Sequence, residues 1–281
     1  MTTSASAALI VRYSFDETDN TVNPQVVDSV GPTFTNGGQN GGVDLDVDGV
    51  FGSGASFDGD NDVAFAGNSS GSEFKTSSDF TFTTWINLQP DSSPDVQARI
   101  FDATNTPDAI SGGLGWRLQL LNQNPSNAGT IQLQARGGGT AINSTLSTLQ
   151  EVQSDGSWTF VALRYDTDGD ATVSVLYQAD DPTAAAVAAN SQSVSAVGPL
   201  SYGAAAVPRI AANQNAVKRT AALYDEITLW DTVLTDEELA TVFRATQVPE
   251  PASASLVFGA AALLVAGRRQ CVGRRQRRRD A

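Results

Sequence analysis

SWTFVALRYDTDGDATVSVLYQ, residues 157–178, decides the fold class. Two runs rich in Val, Thr, Tyr, Phe and Trp, Ser157–Asp166 and Ala171–Gln178, flank the pair Asp168-Gly169. Such residues favour the pleated, half-buried surface of a strand. An Asp-Gly between two strand-like runs signals a hairpin, here with an expected primed two-residue turn. The same grammar recurs outward from it, at Ala8–Phe15, Ala55–Phe57, Asp62–Phe65, Phe80–Leu88, Ala98–Ala103, Trp116–Leu121, Thr130–Ala135, Arg209–Ala211 and Ala221–Trp230, with Gly, Asn, Asp and Pro clusters between. A looser turn at Asn127-Ala128-Gly129 joins two of these runs. Many short strands without amphipathic helices between them predict an all-β chain folded as a two-sheet antiparallel β-sandwich or jelly roll.

One helix is predicted, in TDEELATVFRAT. Thr235 is the expected N-cap and Glu238, three residues on, completes a capping box. Leu239, Val242 and Phe243 form its apolar face, expected to pack on an edge of the sandwich. The Ala- and Ser-rich stretch 179–207 reads as a long surface loop with room for one irregular strand.

Composition removes several function classes. The 281 residues include no histidine, and the one cysteine, Cys271, lies near the C-terminus. His bases, His-containing triads, His metal ligands and body disulfides are therefore excluded. Seven of the 17 basic residues fall between Arg268 and Arg279, so residues 1–247 hold 10 basic and 29 acidic residues, a net charge near −19. A body of that charge is a poor partner for nucleic acid.

The C-terminus has its own pattern. Ala252–Gly267 is a 16-residue run without charge. As a helix it would span about 24 Å, against roughly 30 Å for the hydrocarbon core of a bilayer. Pro249 and Pro251 set a non-helical boundary before it, and the arginines after it read as a stop held in the cytoplasm. A buried C-terminal helix would suit the length but not the arginines. The order Val-Pro-Glu-Pro, apolar run, arginine cluster, over Val248–Arg279, resembles the PEP-CTERM sorting signal of bacterial exported proteins. The resemblance implies a domain of residues 1–247 and a sorting tail of residues 248–281 with a transmembrane helix. It implies Pro249, Glu250 and Pro251 as the motif read by an exosortase, inner-membrane anchoring, and release to the cell surface or beyond after cleavage. MTTSASAALIV lacks a basic n-region and a sufficient apolar stretch, so a signal peptide is expected upstream of Met1.

The body carries a second resemblance. LIVRYSFDE, GSGASFDGDNDVAF, FTFTTWINL, SWTFVALRYD and ALYDEITLWDTVLTDEELATVF occur in that order from Leu9 to Phe243. Together they resemble the LamG-like, concanavalin A-type jelly roll, whose members bind glycans or proteins and often carry a structural calcium. The resemblance implies a calcium site at Asp225, Gly54 and Asp16. Read from the residues alone, Asp225 would cap a strand or pair with a cation. DLDVDG, Asp44–Gly49, imitates the start of an EF-hand loop, but Ala55 stands where the closing Glu belongs, leaving a solvated acidic loop. DGDND, Asp58–Asp62, reads as a rim loop and DTDGD, Asp166–Asp170, as the hairpin turn.

For saccharide binding, Trp85, Trp116, Trp158 and Trp230 are the candidate stacking faces, all in or beside strands. Trp116 follows the Gly-rich stretch 111–115 and is expected as a partly exposed platform. Trp85 and Trp158 are expected in a core. Retaining glycosidases need two carboxylates facing one cleft, which on a strand means acids two or four residues apart. The motif that supplies them, Glu-x-Asp-x-x-Glu, is absent, Asp225-Glu226 are adjacent, and the other carboxylates cluster in expected turns. The expectation is a non-enzymatic, exported surface protein binding a polysaccharide or a surface protein, with an adhesive module lacking a sugar site as the alternative and a glycoside hydrolase third.

Overall fold

Strands that alternate apolar with polar residues must bury one face each, and the computed structural model shows two sheets doing so against one another. It describes residues 7–246 apart from 17–24, 27–36, 41, 61, 67–72, 90–96, 106–113, 122–128, 138, 181–182, 204–205 and 214–218. In chain order the elements are β1 (Leu9–Tyr13), β2 (Gln25–Val26), β3 (Gly37–Asn40), β4 (Asp44–Asp48), β5 (Ser53–Asp58), β6 (Val63–Phe65), β7 (Phe80–Leu88), β8 (Ala98–Asp102), β9 (Gly115–Leu121), β10 (Thr130–Gly137), β11 (Thr140–Thr145), β12 (Thr159–Tyr165), β13 (Asp170–Tyr177), α1 (Ala184–Ala189), β14 (Ser191–Ser195), β15 (Arg209–Ile210), β16 (Ala221–Trp230) and α2 (Asp236–Ala245). The first sheet runs β14-β13-β12-β7-β16-β5-β4, with β1 also on β16, and the second runs β11-β10-β9-β8-β15-β6-β3-β2. Every strand pairing is antiparallel.

The hairpin at 157–178 is present, with Tyr165 opposite Ala171, but its turn is not primed. Four residues, Asp166–Gly169, separate the strands, and Gly169 does not take the left-handed conformation. The Asp166 carboxylate instead accepts the Asp168 N–H at 3.0 Å, and the Gly169 N–H reaches the Asp166 carbonyl at 3.2 Å. Asp at the first position and Gly at the fourth suit an ordinary turn.

Between the sheets, Phe80, Phe82, Phe101 and Trp116 form an aromatic centre, each fully buried. A second apolar cluster lies on the outer face of the first sheet. There Trp85 and Phe160 meet Phe243 of α2 at ring-centroid distances of 5.1 and 5.4 Å. The predicted cap of α2 forms: Thr235 accepts the Glu238 N–H and Glu238 reaches back to the Thr235 N–H. The helix thus covers a sheet face rather than a sandwich edge, because Trp85 and Phe160 leave an apolar surface there. Burying such a ring contributes about 1.5–3 kcal/mol.

Two further expectations change. Asp44–Asp48 is not a loop but strand β4, paired with β5. The stretch 179–207 contains α1 and strand β14 on the first sheet's border. The chain divides into two units, Met1–Gln247 and Val248–Ala281. Among the described residues no helix is long and apolar enough to cross a membrane. The expected transmembrane helix and Pro249, Glu250 and Pro251 lie outside the described residues.

Candidate functional site

Strand β16 changes partner halfway. Its first part, Ala221–Tyr224, pairs with β5, and its last part, Ile227–Trp230, pairs with β1. Asp225 and Glu226 sit at the changeover, where the register against β7 shifts and Glu226 takes φ 49°. Both side chains are fully buried. The Glu226 carboxylate is held in a fork by Arg12 of β1, with Nε and Nη2 both at 2.7 Å.

Among the described residues Asp225 has no such cation. Its Oδ2 accepts the Phe51 N–H at 3.0 Å and its Oδ1 the Glu226 N–H at 2.7 Å. Burial pushes its carboxyl up to about 8, opposed by those two N–H groups and reinforced by the charges of Glu226 and Asp16. Asp16, exposed just after β1, accepts the Ser53 N–H at 3.0 Å.

The segment 49–54 therefore wraps both carboxylates, and its glycines make this possible. A Cβ on Gly49 would lie 2.5 Å from Asp225 Oδ2 and 2.8 Å from the Ser53 carbonyl oxygen. Gly52, at φ +64°, leaves no room for a Cβ beside Asp16 Oδ1. A Cβ on Gly54 would sit 3.0 Å from the Tyr224 carbonyl oxygen. Asp16, Gly54 and Asp225 thus lie around one loop. Gly49 and Gly52 are additional, and their signal was the glycine density of GVFGSG. The donors here are oxygens, the ligand type a calcium ion takes. Among the described residues no three carboxylate, cysteine or histidine side chains form a metal set. A cation would have to take Asp16, Asp225 and main-chain carbonyls of the glycine loop.

The second sheet carries a polar ladder on its outward face. Alternation along β9, GWRLQLL, turns Trp116, Leu118 and Leu120 to the core and Arg117 and Gln119 the other way. Across β8 to β11, Arg99 donates to Gln119, Gln119 to Gln132, and Arg117 to Gln134. Gln132 continues to Thr145 at 3.2 Å and Gln134 to Asn143 at 2.7 Å. The centre of the ladder is buried, while Asn143 and Thr145 on β11 are exposed. These four strands contain one acid, Asp102, which lies 3.4 Å from Arg99 and 3.8 Å from Arg117 and accepts two bonds from Thr104. Burial raises its carboxyl, against the pull of Arg117 and Arg99.

Trp116 is not a platform. It is fully buried, stacked on Phe101 at 4.9 Å and 18°, with its indole N–H on the Phe74 carbonyl at 3.3 Å. The glycine before it serves close approach, since a Cβ on Gly115 would strike the Ala103 carbonyl. Trp85 and Trp158 are buried as expected, in the cluster beneath α2.

Residues 57–240 match the family model described as the concanavalin A-like lectin/glucanases superfamily. The chain belongs to that superfamily. No curated protein matches it in sequence. Among solved structures, this superfamily member is similar to domain 4 of AbnA, an extracellular arabinanase of Geobacillus stearothermophilus in complex with arabinotriose, at 18% identity and TM-score 0.58, covering 85% of this chain and 99% of that one. It is also similar to a botulinum neurotoxin type C structure whose cell entry depends on two ganglioside molecules (11% identity, TM-score 0.57, 85% and 51% covered). The binding domain of Paraclostridial Mosquitocidal Protein 1 is a third (16%, 0.57, 84% and 52%). The chain spans about half the length of the two toxin structures.

Proposed function

We propose that this superfamily domain is a non-enzymatic saccharide-binding module of an exported, surface-directed protein. The observation that carries the reading is the outward face of β8–β11, where amides and guanidinium groups form the ladder and the one acid is engaged by two arginines. Glutamine and asparagine both donate and accept, which suits sugar hydroxyls. A retaining hydrolase would need a pair of free carboxylates on such a face. The arabinotriose and ganglioside named for two similar structures agree with a sugar ligand.

The test is binding to immobilised neutral polysaccharides by the full chain and by the exposed-edge double variant Asn143→Ala/Thr145→Ala. The variant should weaken binding about tenfold, or ~1.4 kcal/mol, with an unchanged Tm. Equal binding by both would remove the ladder as the site. Binding to surface proteins and to no glycan would favour the adhesive alternative, and release of reducing sugar would restore the hydrolase.

Calcium in this reading is a structural tie. Asp225, Asp16 and carbonyls of the 49–54 loop would hold it, and it would neutralise a buried carboxylate where β5, β16 and β1 meet. The tail supplies the address. Pro249, Glu250 and Pro251 followed by the apolar run and arginine cluster support recognition by an exosortase-type enzyme at the inner membrane, then passage to the surface. Mass spectrometry of the protein recovered from cells should find a C-terminus near Gln247; an intact Ala281 on surface-exposed protein would contradict this.

A further inference from the structure

A cavity of about 480 Å³ lies on the outer face of the first sheet, well away in sequence from the ladder strands. Its lining comes from β12, β13, β14, the hairpin turn, Ala188 of α1, Val233 and the start of α2. Two hydroxyl pairs join β13 to β14 there, and Thr172, Ser191 and Ser193 of these line the cavity. Thr172 and Ser193 pair at 2.7 Å, as do Ser174 and Ser191. Ser191 donates onward to the Val187 carbonyl at 2.6 Å. A hydroxyl has one donor and two acceptor sites, so the exposed Thr172–Ser193 pair keeps capacity to spare.

Arg164 stands among them with little to hold. Its side chain is 11% exposed, and it makes one short bond, Nη1 to Asp236 Oδ1 at 2.6 Å. Nη1 also approaches the Leu234 carbonyl at 3.4 Å, and Nη2 reaches Ser174 and Ser191 only at 3.4 and 3.5 Å. Nε is buried and meets no acceptor among the described residues. A guanidinium has five N–H donors in a fixed fork, and a buried donor left unmet costs stability. An arginine whose work was only to anchor α2 would be better satisfied. Three carboxylates, Asp166, Asp170 and Asp236, also line the cavity. Gly169 has no side chain to push the Asp166 carboxylate away: a Cβ there would lie 2.6 Å from Oδ2.

We infer that this cavity is a second saccharide site, selective for a small uncharged sugar. Its arginine asks for acceptor oxygens, its carboxylates ask for donors, and a sugar hydroxyl is both. Three carboxylates against one guanidinium repel uronate, sulfate and phosphate groups, and the guanidinium repels amines. The volume falls within the ~300–1,000 Å³ range of small-ligand pockets. The inference rests on the saccharide-binding reading of the domain but not on the ladder.

The experiment is calorimetric titration of the full chain with arabinotriose, maltose and galacturonic acid. A neutral probe should bind, and galacturonic acid about tenfold or more weakly. Ser193 is exposed on the border strand, so Ser193→Trp should fold normally while filling the cavity. It should abolish this binding with an unchanged Tm, whereas Asn143→Ala/Thr145→Ala should leave it intact. Arg164→Lys, which keeps the charge but loses the fork, should weaken the neutral sugar and leave galacturonic acid poor. Undiminished binding by Ser193→Trp overturns the cavity site and leaves the ladder reading standing. Loss in the ladder double variant alone does the same. Galacturonic acid binding as tightly as the neutral probes overturns the selectivity, and no binding of any probe overturns the second site.

Discussion

Asp225 sits where β16 trades one neighbour for another, and its carboxyl is held near 8 in the folded protein, against about 3.9 in an unfolded chain. The folded state therefore holds the proton more tightly. The associated stability is complete below the unfolded value, and it is lost as pH rises through the folded one. In chelator, the Tm should fall between pH 5 and pH 8, and Asp225→Asn should flatten that slope; a wild-type Tm rising over the window would contradict the assignment. Added calcium should restore the wild-type Tm at pH 8 and leave Asp225→Asn unmoved. Trp116 makes the complementary point. Its indole fills the centre between the sheets, so Trp116→Ala should cost about 3–5 kcal/mol of stability in denaturant unfolding, with any loss of sugar binding following the loss of fold. That Trp116 faces inward was legible in the alternation of GWRLQLL; the glycines before it drew attention to flexibility, when their use is to let backbone meet backbone. The glycine loop around Asp16 and Asp225 was only half legible, since a close approach between segments some 170 residues apart leaves no local periodicity.

At the level of elements, the strands with strong alternation or a fully apolar run were readable, because tertiary burial and local pattern agree there. β4 and β11 were not, and β14 was legible only as room for one irregular strand within 179–207. Their sequences, DLDVD, TAINST and SQSVS, lie at or near sheet borders, where one side faces water and pairing rather than hydrophobicity defines the strand. The DG pair announced a hairpin correctly, but a four-residue turn closes it because Asp166 bonds its own backbone. α2 was readable through its cap, yet its seat was not, since nothing local says that Trp85 and Phe160 point away from the main core. Thr235→Ala should destabilise by about 1 kcal/mol. Phe243→Ala should cost about 3–5 kcal/mol and expose Trp85, seen as a red shift in fluorescence; an unshifted spectrum would mean the helix does not cover that ring.

For the whole molecule, the charge distribution sets what can approach. A body near −19 should bind neutral polysaccharide with little salt dependence, and acidic polysaccharide should be held off at low ionic strength and tolerated better as screening shortens to about 8 Å near 0.15 M salt. Tighter retention of an acidic polymer in low salt would oppose that picture. The strand that closes the fold has a mechanical side as well. β1 lies antiparallel to the end of β16, with Leu9 opposite Trp230 and Ala8 and Asp231 tied by two hydrogen bonds beyond them. Tension drawn between the two ends of the domain would therefore open that pair one rung at a time, like a zipper, instead of shearing all its rungs together. A load entering from Thr246 would first lift α2 off Trp85, leaving the sandwich whole: the helix is a slack element that yields before the sheets are asked to bear force.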